Sequence, residues 1–354
     1  MFNQALSPWT MPAWPHFGLE SDVRPALARA MAGGRPSVLA SLYAVDGAAP
    51  LGEGAQMLFD GGWQAGFLSG GCVEGDVALH AAQAAEDGRP RRLVYGRGGP
   101  ADIQLLCGSR IELLLERIAP GDPAAERLVA LGQARRMALW LTDGERRLCL
   151  AEGDDEATVP PDLRRTLDRA HQSPIPAGHT DAAVYRRYAP PFRLVVVGGD
   201  PTTLAIARLA ADAGFDTALV RPKGPAEPPP IAGVRYFRGA VAEAFSDLGL
   251  DPWTAVAVAT HDLIIDHDAL ALALPSPAGY VGALGSRRRL PERLDRLRAG
   301  GLSEAEVARL KAPIGLDIGA RSPWQIAVSV VAEAIQALQA AEARRVWPGV
   351  LERA

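Results

Sequence analysis

Phe192-Arg193-Leu194-Val195-Val196-Val197-Gly198-Gly199-Asp200-Pro201-Thr202-Thr203 is the stretch on which the fold turns. Leu194–Val197 is an unbroken apolar run, as expected of a strand buried on both faces. Gly198-Gly199 makes a tight turn, and the spacing from Leu204 to Ala213 is helical. Asp216–Val220 is a second strand, followed by a proline-rich loop from Pro222 to Pro230. Ala255–Ala259 is a third, with a helix over Ile264–Leu274, and Gly279–Leu284 a fourth, with an arginine-rich helix after it. Strands alternating with helices predict a doubly wound parallel sheet. Ile326, Val330, Ala334 and Leu338 recur every four residues, which predicts one amphipathic C-terminal helix from Pro323.

Upstream the pattern is different. Short apolar runs at Ser37–Val45, Gln56–Phe59, Trp63–Leu68, Arg92–Tyr95, Arg110–Arg117, Met137–Leu141 and Arg147–Leu150 read as strands. Helices are expected over Val73–Glu86 and Ala124–Arg135. The fold class is therefore α/β: a mixed N-terminal domain (1–152) and a Rossmann-like C-terminal domain (192–354). Between them, residues 153–191 are rich in Pro and Gly and predict a linker with one short helix near Pro161–His171.

Composition narrows the function. A chain of 354 residues has room for two cores. With 37 Lys and Arg against 41 Asp and Glu the net charge is -4, which gives no electrostatic case for nucleic acid. Met1–Pro15 lacks the features of a secretory signal, and no apolar run is long enough to span a bilayer. Three cysteines in a chain of this kind predict free thiols in a reducing cytoplasm.

Two glycine turns are candidate sites. In Ser69-Gly70-Gly71-Cys72-Val73-Glu74-Gly75 the glycines sit between a strand and a helix. Unpaired amides and the positive helix end there suit an anion, and the same field favours a thiolate at Cys72. The competing reading is a plain tight turn with Cys72 as a small buried hydrophobe. Cys107 lies in a second small-residue turn, and Cys149, between leucines, reads as packing.

The turn Gly198-Gly199-Asp200-Pro201-Thr202-Thr203 departs from a dinucleotide fingerprint at its third and sixth places, held by Asp200 and Thr203. Arg221 stands where an acid would hold ribose hydroxyls, so NAD binding is disfavoured; Arg221 is a candidate to accept a phosphate, or a solvated surface cation. Thr260-His261-Asp262 and Gly285-Ser286-Arg287-Arg288-Arg289 fall at the carboxyl ends of later strands, the ligand edge of such a sheet. Asp262 and Ser286 are equally good helix caps. Asp317 and Arg321, in a glycine-rich loop, are candidates to close over that edge, or to pair with each other.

Taken together and in order, these motifs resemble the XdhC/CoxI family of xanthine dehydrogenase accessory proteins. The likeness rests on Phe67-Leu68-Ser69-Gly70-Gly71-Cys72-Val73-Glu74-Gly75, on Cys107-Gly108, and on Thr260-His261-Asp262. It continues through Tyr280–Arg288 and Pro313–Arg321, and spans roughly Ser37 to Ala334. Gly198-Gly199-Asp200-Pro201 departs from the family's usual Gly-Ala-Gly-His turn, and Arg221 from its usual aspartate.

The resemblance implies an escort, not an enzyme. Such a protein binds molybdenum cofactor (molybdopterin) as cargo, assists its sulfuration and delivers it to a xanthine dehydrogenase-type molybdenum hydroxylase. A cysteine desulfurase and a second copy of the chain are its implied partners. The implied cofactor-binding residues are Ser69, Gly70, Gly71, Cys72, Glu74, Cys107, Gly198, Gly199, Arg221, His261, Asp262, Ser286, Arg287, Asp317 and Arg321. Cys72 and Cys107 are the candidate molybdenum ligands. Three other readings compete: an NAD(P)-dependent oxidoreductase, a sulfur carrier using Cys72 as a persulfide, and an interaction scaffold that binds no small ligand.

Overall fold

A computed structural model describes residues 12, 14–100, 103, 105, 107–285 and 287–343. The chain divides into two compact units at Pro190–Pro191.

The first unit holds two antiparallel sheets. Strands β1 (Ser37–Asp46), β2 (Gln56–Phe59), β3 (Gln64–Gly66), β4 (Arg91–Gly96) and β5 (Arg110–Ile118) form one, in the order β3-β2-β1-β5-β4. Alternation along β1 decides what covers it. Val38, Ala40 and Leu42 pack with Val77, Ala78 and Ala81 of helix α2 (Glu74–Asp87). Leu39 points the other way, into a core shared with Leu27 of α1 (Arg24–Ala32) and Leu128 of α3 (Pro123–Gln133). Trp140 and Cys149 join that core, and burial pushes the Cys149 thiol up to about 12, so Cys149 is a packing residue.

The second sheet corrects the expected linker. β6 (Ala138–Thr142), β7 (Arg147–Ala151), β8 (Ala177–His179) and β9 (Val184–Tyr188) pair in the order β7-β6-β9-β8. Helix α4 (Pro161–Gln172) covers this sheet with Leu163, Leu167 and Ala170. Residues 153–190 are therefore folded substance of the first unit. Their prolines mark element boundaries: Pro161 opens α4, while Pro174 and Pro176 turn the chain from α4 into β8. Five- and three-residue strands leave too short an apolar pattern to stand out from loop.

The second unit is a parallel six-stranded sheet: β10 (Arg193–Gly198), β11 (Asp216–Val220), β12 (Val234–Phe237), β13 (Thr254–Ala259), β14 (Tyr280–Ala283) and β15 (Leu310–Lys311), ordered β12-β11-β10-β13-β14-β15. The buried run read from sequence serves two cores. Leu194 and Val196 face α5 (Pro201–Asp212) and, later in the chain, α10 (Pro323–Ala343). Val195 and Val197 face α6 (Val241–Leu248), α7 (Leu263–Ala273) and α8 (Leu290–Ala299), followed by the short α9 (Glu304–Val307). Helices on both faces are what a fully apolar strand requires. The order reverses between β10 and β13, which places the ligand crevice at their carboxyl ends. No described helix is long and apolar enough to cross a membrane.

Candidate functional site: a paired-thiol edge and a Rossmann-like crevice

The Ser69–Val73 turn leaves edge strand β3 and enters α2, and its amides are already taken. Glu74 is 1% exposed, and its Oε1 accepts from the N–H groups of Leu68 (3.1 Å) and Ser69 (2.7 Å). Oε2 accepts from the Ser69 hydroxyl (2.7 Å) and from the N–H groups of Gly71 (3.0 Å) and Val73 (3.2 Å). Ser69 Oγ in turn accepts from the N–H groups of Cys72 and Val73, both at 3.1 Å. Burial alone would raise the Glu74 carboxyl, but these donors outweigh it and hold it below the usual range. Two expectations are corrected here. The turn offers no vacant anion cradle at those amides, and Ser69 and Glu74 are internal struts, because the chain supplies its own carboxylate to the helix start.

That arrangement exposes sulfur. Gly70 and Gly71 both have φ near +98°, a conformation side chains resist, and the Cys72 side chain emerges exposed beside them. Cys107 is exposed as well, in the turn just before β5. Its Sγ lies 2.9 Å from Oγ of buried Ser109; that hydroxyl and the Ser109 N–H draw the thiol pKa below its ordinary value. Ser109 stands where the family's Cys-Gly-Gly motif usually has its second glycine, and its contact with Cys107 is not legible from that replacement.

The two thiols share one end of the five-stranded sheet. β3 runs up to the Cys72 turn, and β5 starts from the Cys107 turn with Arg110 opposite Asp46, the last residue of β1. Three strand spacings separate β3 from β5, roughly 14 Å. The β1–β2 loop fills the interval: a Cβ at Gly47 would stand 3.3 Å from Ser109 Cα, and one at Gly70 would stand 3.8 Å from Pro50 Cγ. Among the described residues no three His, Cys, Asp or Glu gather as a metal site.

In the second unit Gly198, Gly199, Asp200, Arg221, Thr260, His261 and Asp262 do converge, lining a cleft of about 620 Å³ at the ends of β10 and β13. Asp200 is the N-cap of α5: its Oδ1 accepts from Thr203 N–H and Oγ1, both at 2.7 Å, and its Oδ2 meets His261 Nε2 at 3.2 Å. Burial pushes the Asp200 carboxyl up, yet the Thr203 and His261 contacts bring it net below its usual range. A Cβ on Gly199 would lie 2.3 Å from Arg221 Nε. The Arg221 side chain therefore lies directly against Gly199 in the wall of this cleft. Asp262 caps α7 through the N–H groups of Ile264 (2.8 Å) and Ile265 (3.2 Å).

Asp317 and Arg321 are exposed on the loop between β15 and α10 and line neither this cleft nor its neighbour. They do not close the crevice, because Ile314 and Leu316 tie that loop to Ala283 and Ser329. Ser286 and the side chain of Arg287 fall outside the described residues. Asp266 was missed: it is 4% exposed and accepts from Thr260 Oγ1 (2.7 Å) and Arg293 Nη2 (2.9 Å). An acid on the apolar face of a helix, one turn after Asp262, was the available signal.

Comparison with known proteins agrees with this architecture in both halves. The model described as the XdhC and CoxI family matches residues 30–96, and that of the XdhC Rossmann domain matches 194–334. A protein of Escherichia coli (strain K12), "Molybdenum cofactor insertion chaperone PaoD", is 31% identical over 307 residues, 86% of this chain and 84% of that one. The chain belongs to the XdhC and CoxI family. Another family relative, named as a probable xanthine dehydrogenase subunit of Bacillus subtilis (strain 168), is 29% identical over 315 residues, 85% of this chain and 92% of its own. A crystal structure from Bacillus halodurans, described as a xanthine dehydrogenase, shares the fold with TM-score 0.69 and 24% identity, covering 91% of this chain and 96% of that one.

Proposed function

We propose that this XdhC/CoxI-family chain is a cytoplasmic escort that carries molybdenum cofactor to a xanthine dehydrogenase-type molybdenum hydroxylase and turns over no substrate of its own. The observation that carries the reading is the pair of exposed thiols, Cys72 and Cys107, at one end of one sheet. A molybdopterin complex arrives with metal and dithiolene together, so it needs a docking edge with soft ligands and no protein-built metal cage. The name of the Escherichia coli relative supports the cargo.

Purification from a molybdate-fed, cofactor-competent host, followed by acid-iodine oxidation, tests this. Near-stoichiometric fluorescent pterin is expected from the native chain, and a large loss from Cys72→Ala. A native chain without pterin, or a Cys72→Ala variant that retains it, defeats the reading.

A sulfuration role belongs to the same proposal, with a cysteine desulfurase as donor. The hydroxyl beside Cys107 favours its thiolate, which makes that thiol a candidate persulfide carrier alongside Cys72. Intact mass after incubation with a desulfurase and cysteine reads the gain of one sulfur, which Cys107→Ser abolishes. Trp324, Val328 and Ile335, exposed along α10, are the apolar face on which a homodimer would form; light scattering reads the mass.

A further inference from the structure

A second cavity, of about 700 Å³, opens where β13 and β14 end, between α7 and α8. That size suits a small organic ligand. Its walls are of two kinds. Leu263 and Leu284 supply apolar surface, while Arg289, Arg293 and Arg296 share one face of α8 and its entry turn, being four and seven residues apart.

The three arginines are not equivalent. Arg293 is engaged, with Nη2 on buried Asp266 (2.9 Å) and Nη1 on the Leu284 carbonyl (3.2 Å). Its charge is spent on Asp266, and the pair fixes the cavity floor. Arg289 and Arg296 are exposed and make no ion pair with described residues. Seven helical residues separate them by about 10 Å along the axis, a gap that two guanidinium arms can close onto one anion. Arg288 is a fourth lining arginine and is itself engaged; Glu292 is the remaining acid in the lining, so Arg289 and Arg296 together outnumber it.

We propose that this cavity binds a phosphate monoester borne on a planar heterocycle, with the phosphate between Arg289 and Arg296 and the ring against Leu263 and Leu284. Guanidinium forks match phosphate oxygens in a two-point geometry, and the apolar leucine side chains offer surface for a ring to cover. Either a mononucleotide or a phosphorylated pterin carries that chemistry; in the second case the inference rests on the escort reading above. A dinucleotide laid across both cavities would have to cross the β10–α5 turn, where Arg221 and the Asp200 cap already occupy the pyrophosphate's place.

Titration of the full-length protein decides it. The probes are AMP, GMP, the fluorescent pterin phosphate from oxidised molybdopterin, and the same pterin after phosphatase treatment. At least one phosphorylated ring is expected to bind. Removal of its phosphate, and separately the double variant Arg289→Ala/Arg296→Ala, should each weaken binding by about tenfold or more. Binding of the pterin phosphate alone assigns the cavity to the cargo, and of AMP or GMP alone to a nucleotide. If no phosphorylated probe binds at millimolar concentration, or if the double variant binds like the native chain, the proposal is overturned. Cys72→Ala in parallel keeps the two readings apart: it should strip co-purified pterin while leaving affinity at this cavity unchanged.

Discussion

Two turns in this molecule have the same outline, and they use it differently. Each leaves a strand, passes through adjacent glycines and starts a helix: Ser69–Val73 before α2, and Gly198–Asp200 before α5. In each, a carboxylate of the chain accepts the amides that a ligand would otherwise use. Glu74 does so from a sealed position, with five donors on its two oxygens, and the consequence is an exposed sulfur on a rigid bend. Asp200 does so from the wall of an open cleft, with His261 on its outer oxygen. The lesson is that paired glycines specify a backbone shape, while the nearest acid decides whether that shape is open to an anion.

That contrast can be broken by substitution. The largest effect is expected at Glu74. Glu74→Ala strands the backbone N–H groups of Leu68, Ser69 and Gly71 in the turn that leads into α2, while Val73 keeps Ser69 Oγ, and a loss of about 3 kcal/mol or more is expected in urea unfolding. The carboxyl is held low in the fold, so its contribution is complete above the unfolded value near pH 4.5 and is lost as pH falls through the lower folded value. Glu74→Gln should remove that pH dependence; an unchanged acid limb would mean the carboxylate is not what holds the turn.

Gly198→Ala comes next. At φ +151° its Cβ would stand 2.5 Å from the Ala259 carbonyl oxygen and 2.6 Å from Thr203 Oγ1, so β10 and β13 must separate. A loss of about 2 kcal/mol is expected from overpacking, and a variant with native melting temperature would contradict the close strand approach. Asp200→Ala removes the α5 cap together with the Thr203 hydroxyl and exposed His261 contacts, and should cost about 1 kcal/mol. A larger loss would make Asp200 as structural as Glu74 and erase the distinction. The smallest effect is at Ser109: Ser109→Ala should leave stability nearly unaltered while the Cys107 thiol moves back up toward 9.0, read as a shifted midpoint in the pH dependence of alkylation.

Much of this was written in the pattern of residues. The unbroken Leu194–Val197 run announced a strand buried on both faces, and helices lie on both. Trp63–Leu68 followed by Val73 announced a strand-to-helix bend at Cys72, and one exists, although β3 is shorter than read. Half of the second sheet of the first unit was legible: Met137–Leu141 and Arg147–Leu150 announced β6 and β7, while β8 and β9 did not stand out. β8 and β9 are three and five residues long and lie among prolines, and only their pairing with β6, far back in the chain, identifies them.

The sequence by itself determined the two-unit α/β plan and the positions of the glycine turns, because apolar periodicity and φ-permissive residues act locally. Which groups at those turns remain available was decided by tertiary structure alone. Glu74 reaches back over its own turn, Arg221 lies across Gly199 from the next strand, and Arg293 spends its charge on Asp266 from another helix. Local sequence places a donor or an acceptor on the chain; only packing brings together the partner that uses it up.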